Sequence, residues 1–362
     1  MKNKLFILVL ICTNLYTYSQ TIFYNGFGSE GPGHDLLIVD NYLYSGAYSG
    51  GYIVRFNLDN PNPQPETIST NFLQGSLFSL SYYQPENALY ISSFSPVLSK
   101  LDLSQTLPAN SETININPAN FFLGNDINGE MFYGATTNGG FGYIYKMNIS
   151  QGPSSYEILY QDALSLYHAE TYNGELYFIS TGSEIDLNKI DPNSSNPDKM
   201  LVASSISSVF PAATHLRDNY LYVGNDNGQL VRFNLDDSLP LSPTVLLNDI
   251  GNNIVGISSK NELLYISVGG PGIIYTFEDH VLSTIETDIS SISIYPNPSD
   301  DYLFLNSKKN NINYQIFNLQ NQEIKKGNYN DSGILISNLT SGIYMLKLEI
   351  EERISFQKFI KK

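Results

Sequence analysis

The sequence has no tryptophan, a single cysteine among 362 residues, and few charged groups, with cations outnumbered 19 to 35 by acids. Each shortage excludes something. Cys12 lies inside an apolar N-terminal run, so a chain cleaved after that run has no thiol. A disulfide framework and a Cys-ligated metal site are then both excluded. Long charged helix formers are scarce, which argues against a helical fold. Phosphate backbones are repelled by so acidic a surface, so no nucleic-acid partner is expected. The sequence contains no G-x-S-x-G, H-E-x-x-H or P-loop pattern.

What is abundant is aromatic: 27 Tyr and 19 Phe. Such side chains fit pleated, half-buried surfaces, so strands are expected. At the N-terminus, Lys2 and Lys4 precede "LFILVLICTNLY" and then "TYSQ". A basic start, an apolar run too short to span a bilayer comfortably and a small-residue exit read as a signal peptide over residues 1–20. Cleavage there would leave no transmembrane segment.

The segments at 52–60 and 229–237 share the core "VRFNLD", 177 residues apart. Between them a shorter period is visible. "NYLYSG", "NALYIS", "GEMFYG", "GELYFIS", "NYLYVG" and "ELLYIS" place aromatics at Tyr44, Tyr90, Phe132, Tyr177, Tyr222 and Tyr265, spaced by 46, 42, 45, 45 and 43. Each repeat reads as four short strands broken by Asn/Asp/Gly turns and Pro-bearing loops. Four strands in about 40–45 residues is the size of a propeller blade. The expected fold is therefore all-β: a six-bladed β-propeller over 21–288, followed by a small antiparallel β-sandwich over 289–362. "TIFYN" at 21–25 is expected to add an edge strand to the last blade and lock the ring. The repeat grammar resembles that of six-bladed propellers of the NHL, YVTN and gluconolactonase-like kind. Arg55, Lys100, Lys146, Lys189 and Arg232 hold one repeat position, with Thr276 in the sixth. They are read as stems packed between blades, each head meeting a carboxylate.

After residue 288 the period stops. "YPNP" (Tyr295, Pro296, Asn297, Pro298), "YQIFNLQNQEIKKG", "ISNLTSGIYMLKLE" with Gly342, Tyr344 and Lys347, and the closing "KFIKK" with Lys358 follow in order. This run resembles the C-terminal sorting domain of type IX secretion substrates of the Bacteroidetes. Where that family often has an acidic residue near Asn318 and a glycine near Asn321, this sequence has asparagine at both. The resemblance implies recognition by an outer-membrane translocon as partner, and a secreted or cell-surface location in a Gram-negative bacterium. Residues 289–362 carry +2, which leaves 21–288 at −20.

Propeller ligands sit where the loops entering the first strands meet the loops between second and third strands. Three histidines, His34, His168 and His215, fall on first strands. With Asp35 or Glu170 they are candidates for metal ligation or general base chemistry. A gluconolactonase-like enzyme would need a Glu, an Asn and an Asp converging on calcium. Asn125 and Asp126 are candidate members, but the set is incomplete in this sequence, so no metal ligands are assigned, with calcium left open. Asn125–Gly129 and Asn225–Gly228 are read as hairpin turns rather than calcium loops. Tyr48, Phe94, Phe122, Phe141 and Tyr167 are expected to present rings at one mouth. These features favour a non-catalytic module for a glycan, peptide or protein ligand. The alternative is an extracellular hydrolase or lyase, metal-assisted or not, working at the central channel.

Overall fold

The computed structural model describes residues 20–28, 31–47, 51–70, 77–93, 95–116, 122–279, 294–306, 312–318, 322–329, 333–350 and 353–362. The signal segment, Tyr48, Phe94 and the expected boundary at 288/289 lie outside them. The chain divides into two compact units, Met1–Asp279 and His280–Lys362.

The first unit is built from six four-stranded antiparallel sheets. Their innermost strands are Pro32–Val39, Leu77–Tyr83, Gly124–Asn128, Ser165–Tyr172, Pro211–Arg217 and Ile254–Lys260. Blades one to five each use four consecutive strands. The sixth uses three and takes its outermost strand from the opposite end of the unit: Thr21–Tyr24 pairs with Ile273–Glu278, Thr21 opposite Thr276. Each hairpin from first to second strand turns on a residue with positive φ. These residues are Asp40, Asn87, Gly129, Asn173, Asp218 and Asn261. Asn, Asp and Gly tolerate that region at least cost, so the turn chemistry of the sequence fixes all six hairpins.

Six separate apolar clusters fill the six interfaces. Leu43, Phe56 and Tyr265 join the first and last blades. Ile53, Leu77 and Leu89 join blades one and two. Phe122, Phe132 and Tyr145 join two and three. Ile144, Leu166 and Phe178 join three and four, Ile179, Leu187 and Phe233 join four and five, and Leu230, Ile254 and Phe277 join five and six. A blade is thus apolar on both faces, which is why its strands do not alternate cleanly.

The recurring cation is a packing device. Arg55 lies opposite Glu66 on the neighbouring strand, 2.7 Å away, with its guanidinium 4.4 Å from the Tyr42 ring centre. Lys100 meets Glu86 at 2.8 Å, Lys146 meets Glu157 at 3.1 Å, and Lys189 meets Glu175 at 3.8 Å. Each sits opposite the repeat aromatic of its blade: Tyr44, Tyr90, Tyr177 and Tyr222 face Arg55, Lys100, Lys189 and Arg232. In the third blade the residue facing Lys146 is Tyr133, not the expected Phe132. The repeat there is displaced by one residue. One residue in a strand reverses the face, so Phe132 packs in the cluster between blades two and three while Tyr133 packs between three and four.

Arg232 uses a different partner. Both oxygens of Asp279 lie 2.7 Å from its Nη1, and Arg217 and the Tyr222 hydroxyl also donate to Asp279. This carboxylate is buried at 1 % exposure, on the last residue of the unit.

The second unit is a sandwich of a three-stranded sheet (Ile294–Tyr295, Tyr302–Leu305, Ile334–Leu335) and a four-stranded one (Ile312–Phe317, Glu323–Tyr329, Gly342–Ile350, Arg353–Lys361). Both contribute to a single core: Leu303 and Leu305 from one, Ile316, Leu346 and Phe359 from the other. The YPNP turn and the last strand of this unit meet. The Asn297 amide donates to the Lys358 carbonyl and its oxygen accepts from the Ile360 N–H. Tyr344 stacks on Phe359 at 5.4 Å. Asn318 closes the central hairpin by accepting from the Gln322 N–H at 2.9 Å.

Asp279→Ala should leave two arginines without their buried counter-charge and cost on the order of 3–5 kcal/mol. Urea unfolding followed by near-UV circular dichroism measures this. A change below about 1 kcal/mol would mean the cluster is solvated.

Candidate functional site at the channel mouth

Five of the six innermost strands carry a bulge near their start, where the register slips against the second strand. A bulge inserts an extra residue and re-aims a side chain. The slips fall between Pro32 and Leu36, Leu77 and Ser79, Tyr167 and Glu170, Pro211 and Ala213, and Ile254 and Gly256. His34, Phe78 and His168 are therefore bulge residues. Pro32 pairs with Ala47, the end of the second strand, so these bulges share one end of the ring with the loops between second and third strands.

A cavity of about 210 Å³ opens among the innermost strands. His34, Asp35, Phe78, Asn125, Asp126, His168, Glu170 and His215 all line it. The structure thus brings the three histidines, Asp35 and Glu170 to one cavity. Among the described residues, however, no three His, Cys, Asp or Glu side chains converge as a metal-ligand set.

The two bulge histidines sit on blades one and four, which are opposite in a ring of six. They interact electrostatically, and that repulsion adds to burial in depressing His34 to about 4. His34 also meets the Phe78 ring at 5.0 Å. His168 is buried and has φ of 58°, a left-handed conformation that is costly for a residue with a side chain. Gly124 accommodates it: a Cβ there would come within 2.4 Å of the His168 Cα. His215 is placed differently. It lies opposite Tyr222 in regular register, 2.7 Å from the Ser259 hydroxyl, and burial holds it at about 4.

The carboxyl groups tie three pairs of neighbouring blades. Asp35 accepts from the Ser79 hydroxyl and the Leu80 N–H of blade two, and from its own neighbour Leu36. Ser79 in turn accepts from the Asn125 N–H of blade three. Asp126 accepts from the N–H and hydroxyl of Thr171 in blade four, and Glu170 accepts from the Thr214 hydroxyl of blade five. The His215–Ser259 pair continues this belt to blade six. Burial pushes Asp35 up to about 7 against three donated hydrogen bonds. It raises Asp126 and, helped by the charges of Asp126 and Asp35, lifts Glu170 well above its ordinary range.

The aromatic candidates separate. Phe141 is exposed at the tip of its hairpin, at 47 %. Tyr167 is half-buried, edge-on to Phe210 at 4.7 Å. Phe122 presents no ring at the mouth: it is 1 % exposed and packed edge-to-face against Phe132 and Tyr145. Its volume belongs to the interface between blades two and three. Asn225 accepts from the Asn227 and Gln229 N–H groups, so Asn225–Gly228 is a turn, whereas Asn125–Asn128 lies in the innermost strand of blade three and only Gly129 turns the hairpin. Sequence reasoning missed Ser79, Thr171, Thr214 and Ser259. The signal was present: belt partners lie 44 to 46 residues apart, close to the period of the blades.

Comparison with known proteins agrees with this architecture. Residues 293–362 match the family model of the secretion system C-terminal sorting domain. No curated protein matches the sequence. Among solved structures, PorZ, an essential surface component of the type IX secretion system of Porphyromonas gingivalis, aligns at 10 % identity and TM-score 0.50. That alignment covers 92 % of this chain and 60 % of PorZ, so the chain spans less than two thirds of that relative. The WD40 β-propeller domain of Doa1 aligns at 10 % identity and TM-score 0.52, over 72 % of this chain and 98 % of that one. The β-propeller domain of Cps50 (Swd1) from Myceliophteria thermophila aligns at 11 % and 0.51, over 72 % and 100 %. At these identities the likeness is one of fold.

The elevated carboxyls and depressed histidines act oppositely on stability. A carboxyl raised on folding stabilises fully below its unfolded pKa, and that contribution is lost as pH rises through the folded value. For Asp35 the window is 3.8 to about 7. A histidine depressed on folding loses its contribution as pH falls from 6.5 to about 4. Glu170→Gln keeps the acceptor for Thr214 but cannot ionise. Its melting temperature relative to wild type should therefore climb steadily from pH 4.5 to pH 8, as followed by calorimetry; a constant difference would show that Glu170 titrates normally. Gly124→Ala should cost a few degrees of melting temperature at every pH, because the clash is with backbone. The chain folds as a β-propeller followed by a unit whose residues 293–362 match the secretion system C-terminal sorting domain.

Proposed function

We propose that this protein is a secreted or surface-displayed binding module whose ligand, a glycan, peptide or protein, engages the mouth of the central channel. One observation carries this reading. The bulges bring His34, Phe78 and His168 to one mouth, and His168 is held there in a costly backbone conformation that Gly124 is shaped to permit. Strain of this kind persists where the surrounding fold over-determines it, and it concentrates at ligand sites. Phe141, exposed on the same side, supplies a ring on which a sugar or an apolar side chain would stack. The carboxyls of elevated pKa beside histidines favour a second reading, an extracellular hydrolase or lyase with Glu170 as general acid.

The mature chain, probed in parallel on a glycan array and against a displayed peptide library, should return a ligand whose affinity falls at least tenfold in His34→Ala and His168→Ala. Binding that is indifferent to both substitutions, or silence in both formats, would overturn the assignment. Ligand recovered unchanged after prolonged incubation supports the binding module. Ligand converted by wild type and spared by Glu170→Gln supports the hydrolase or lyase.

A further inference from the structure

We propose that the channel cavity seats a primary ammonium group, on a lysine side chain or a free alkylamine, between Glu170 and Asn125 with Asp35 and Asp126 as flanking charges. The inference rests on the channel-mouth reading and narrows its ligand.

Three acidic side chains line this cavity, and no Lys or Arg does. Elsewhere in the propeller the recurring cations are matched to acids of their own. Among the described residues no Lys or Arg pairs with the channel acids, and Glu170 feels the charge of both others. Two acceptor atoms have no donor among the described residues. Glu170 accepts at Oε1 only, from Thr214, which leaves Oε2. Asn125 gives its amide N–H₂ to Ser81, and its Oδ1 is buried without a donor. A buried acceptor left without a donor costs about 1–3 kcal/mol unless something fills it.

The shape of the vacancy selects among cations. Both oxygens of Asp35 and of Asp126 already accept hydrogen bonds, so neither carboxylate offers a free fork to a guanidinium. Separate single acceptors suit the three-donor point charge of an ammonium better than a planar group. Calcium takes six to eight oxygens, and among the described residues no three His, Cys, Asp or Glu side chains converge here. The cavity of about 210 Å³ equals roughly seven waters at ~30 Å³ each, room for an ammonium and a short alkyl stem. Phe78 at the mouth gives that stem an apolar wall, and the −20 charge of residues 21–288 steers cations toward it.

The test is calorimetric titration of the mature chain at pH 8 with n-butylamine, with a peptide bearing one central lysine, and with the same peptide acetylated at Nε. Butan-1-ol and calcium chloride serve as further arms. Butylammonium should bind and raise the melting temperature, and acetylation should abolish peptide binding. Glu170→Gln and Asn125→Leu should each weaken binding at least tenfold, with folding checked by circular dichroism. A lysine peptide much tighter than butylamine assigns the site to a protein side chain; the reverse assigns it to a free amine. The proposal falls if wild type ignores butylamine, if butan-1-ol binds as well, or if calcium binds instead and is lost in Glu170→Gln. Failure here with a His168-dependent glycan or peptide still bound would overturn only the ammonium assignment.

Discussion

A sheet with two apolar faces cannot stand alone in water, and everything in the larger unit follows from that constraint. Burying Leu43 on one blade requires Tyr265 on another, and so on around the ring until the last interface meets the first. A ring of this kind has an opening only where its two chain ends meet. The strand Thr21–Tyr24 removes that opening by completing the blade that the other end leaves one strand short. Closure also draws six innermost strands toward one axis, and the cavity with its polar lining is a by-product of that geometry. Hydrogen-bonding groups must then be supplied along the axis, because backbone and side-chain atoms there are screened from bulk water.

The belt of Asp35, Asp126, Glu170 and His215 answers that need, but at a cost in electrostatics. Three carboxyls share one small space in which ionisation is disfavoured, and each is kept there by donors from the adjacent blade. A hydroxyl-only belt would tie the blades without that tension. Groups retained against their own solvation usually serve something besides packing.

Much of the architecture was legible in the sequence because period and turn chemistry are local. The six hairpins could be read from Asp, Asn and Gly, and the closing strand from "TIFYN". The paired cations were legible too, since a long stem at a fixed position in each repeat has few other uses. Less visible was what depends on register within a strand. The third-blade anchor is Tyr133, and the adjacent Phe132 gave the same local pattern. Phe122 read as a mouth residue because nothing in its neighbourhood shows that the third innermost strand, unlike the other five, starts without a bulge. The serine and threonine partners of the belt carry no local signature, and only their 44- to 45-residue echo of the acids distinguishes them. His168 was found by type, while its left-handed backbone could not be, since that depends on Gly124 in a neighbouring blade.

The arginine-bound carboxylate of Asp279 sits where the propeller hands the chain over to its sorting tail. A load applied along that tail therefore arrives at a knot of two guanidiniums and a phenol before it can peel Ile273–Glu278 from between its neighbours. The fold thus sets four donor contacts to one buried carboxylate immediately after the strand on which the ring closes.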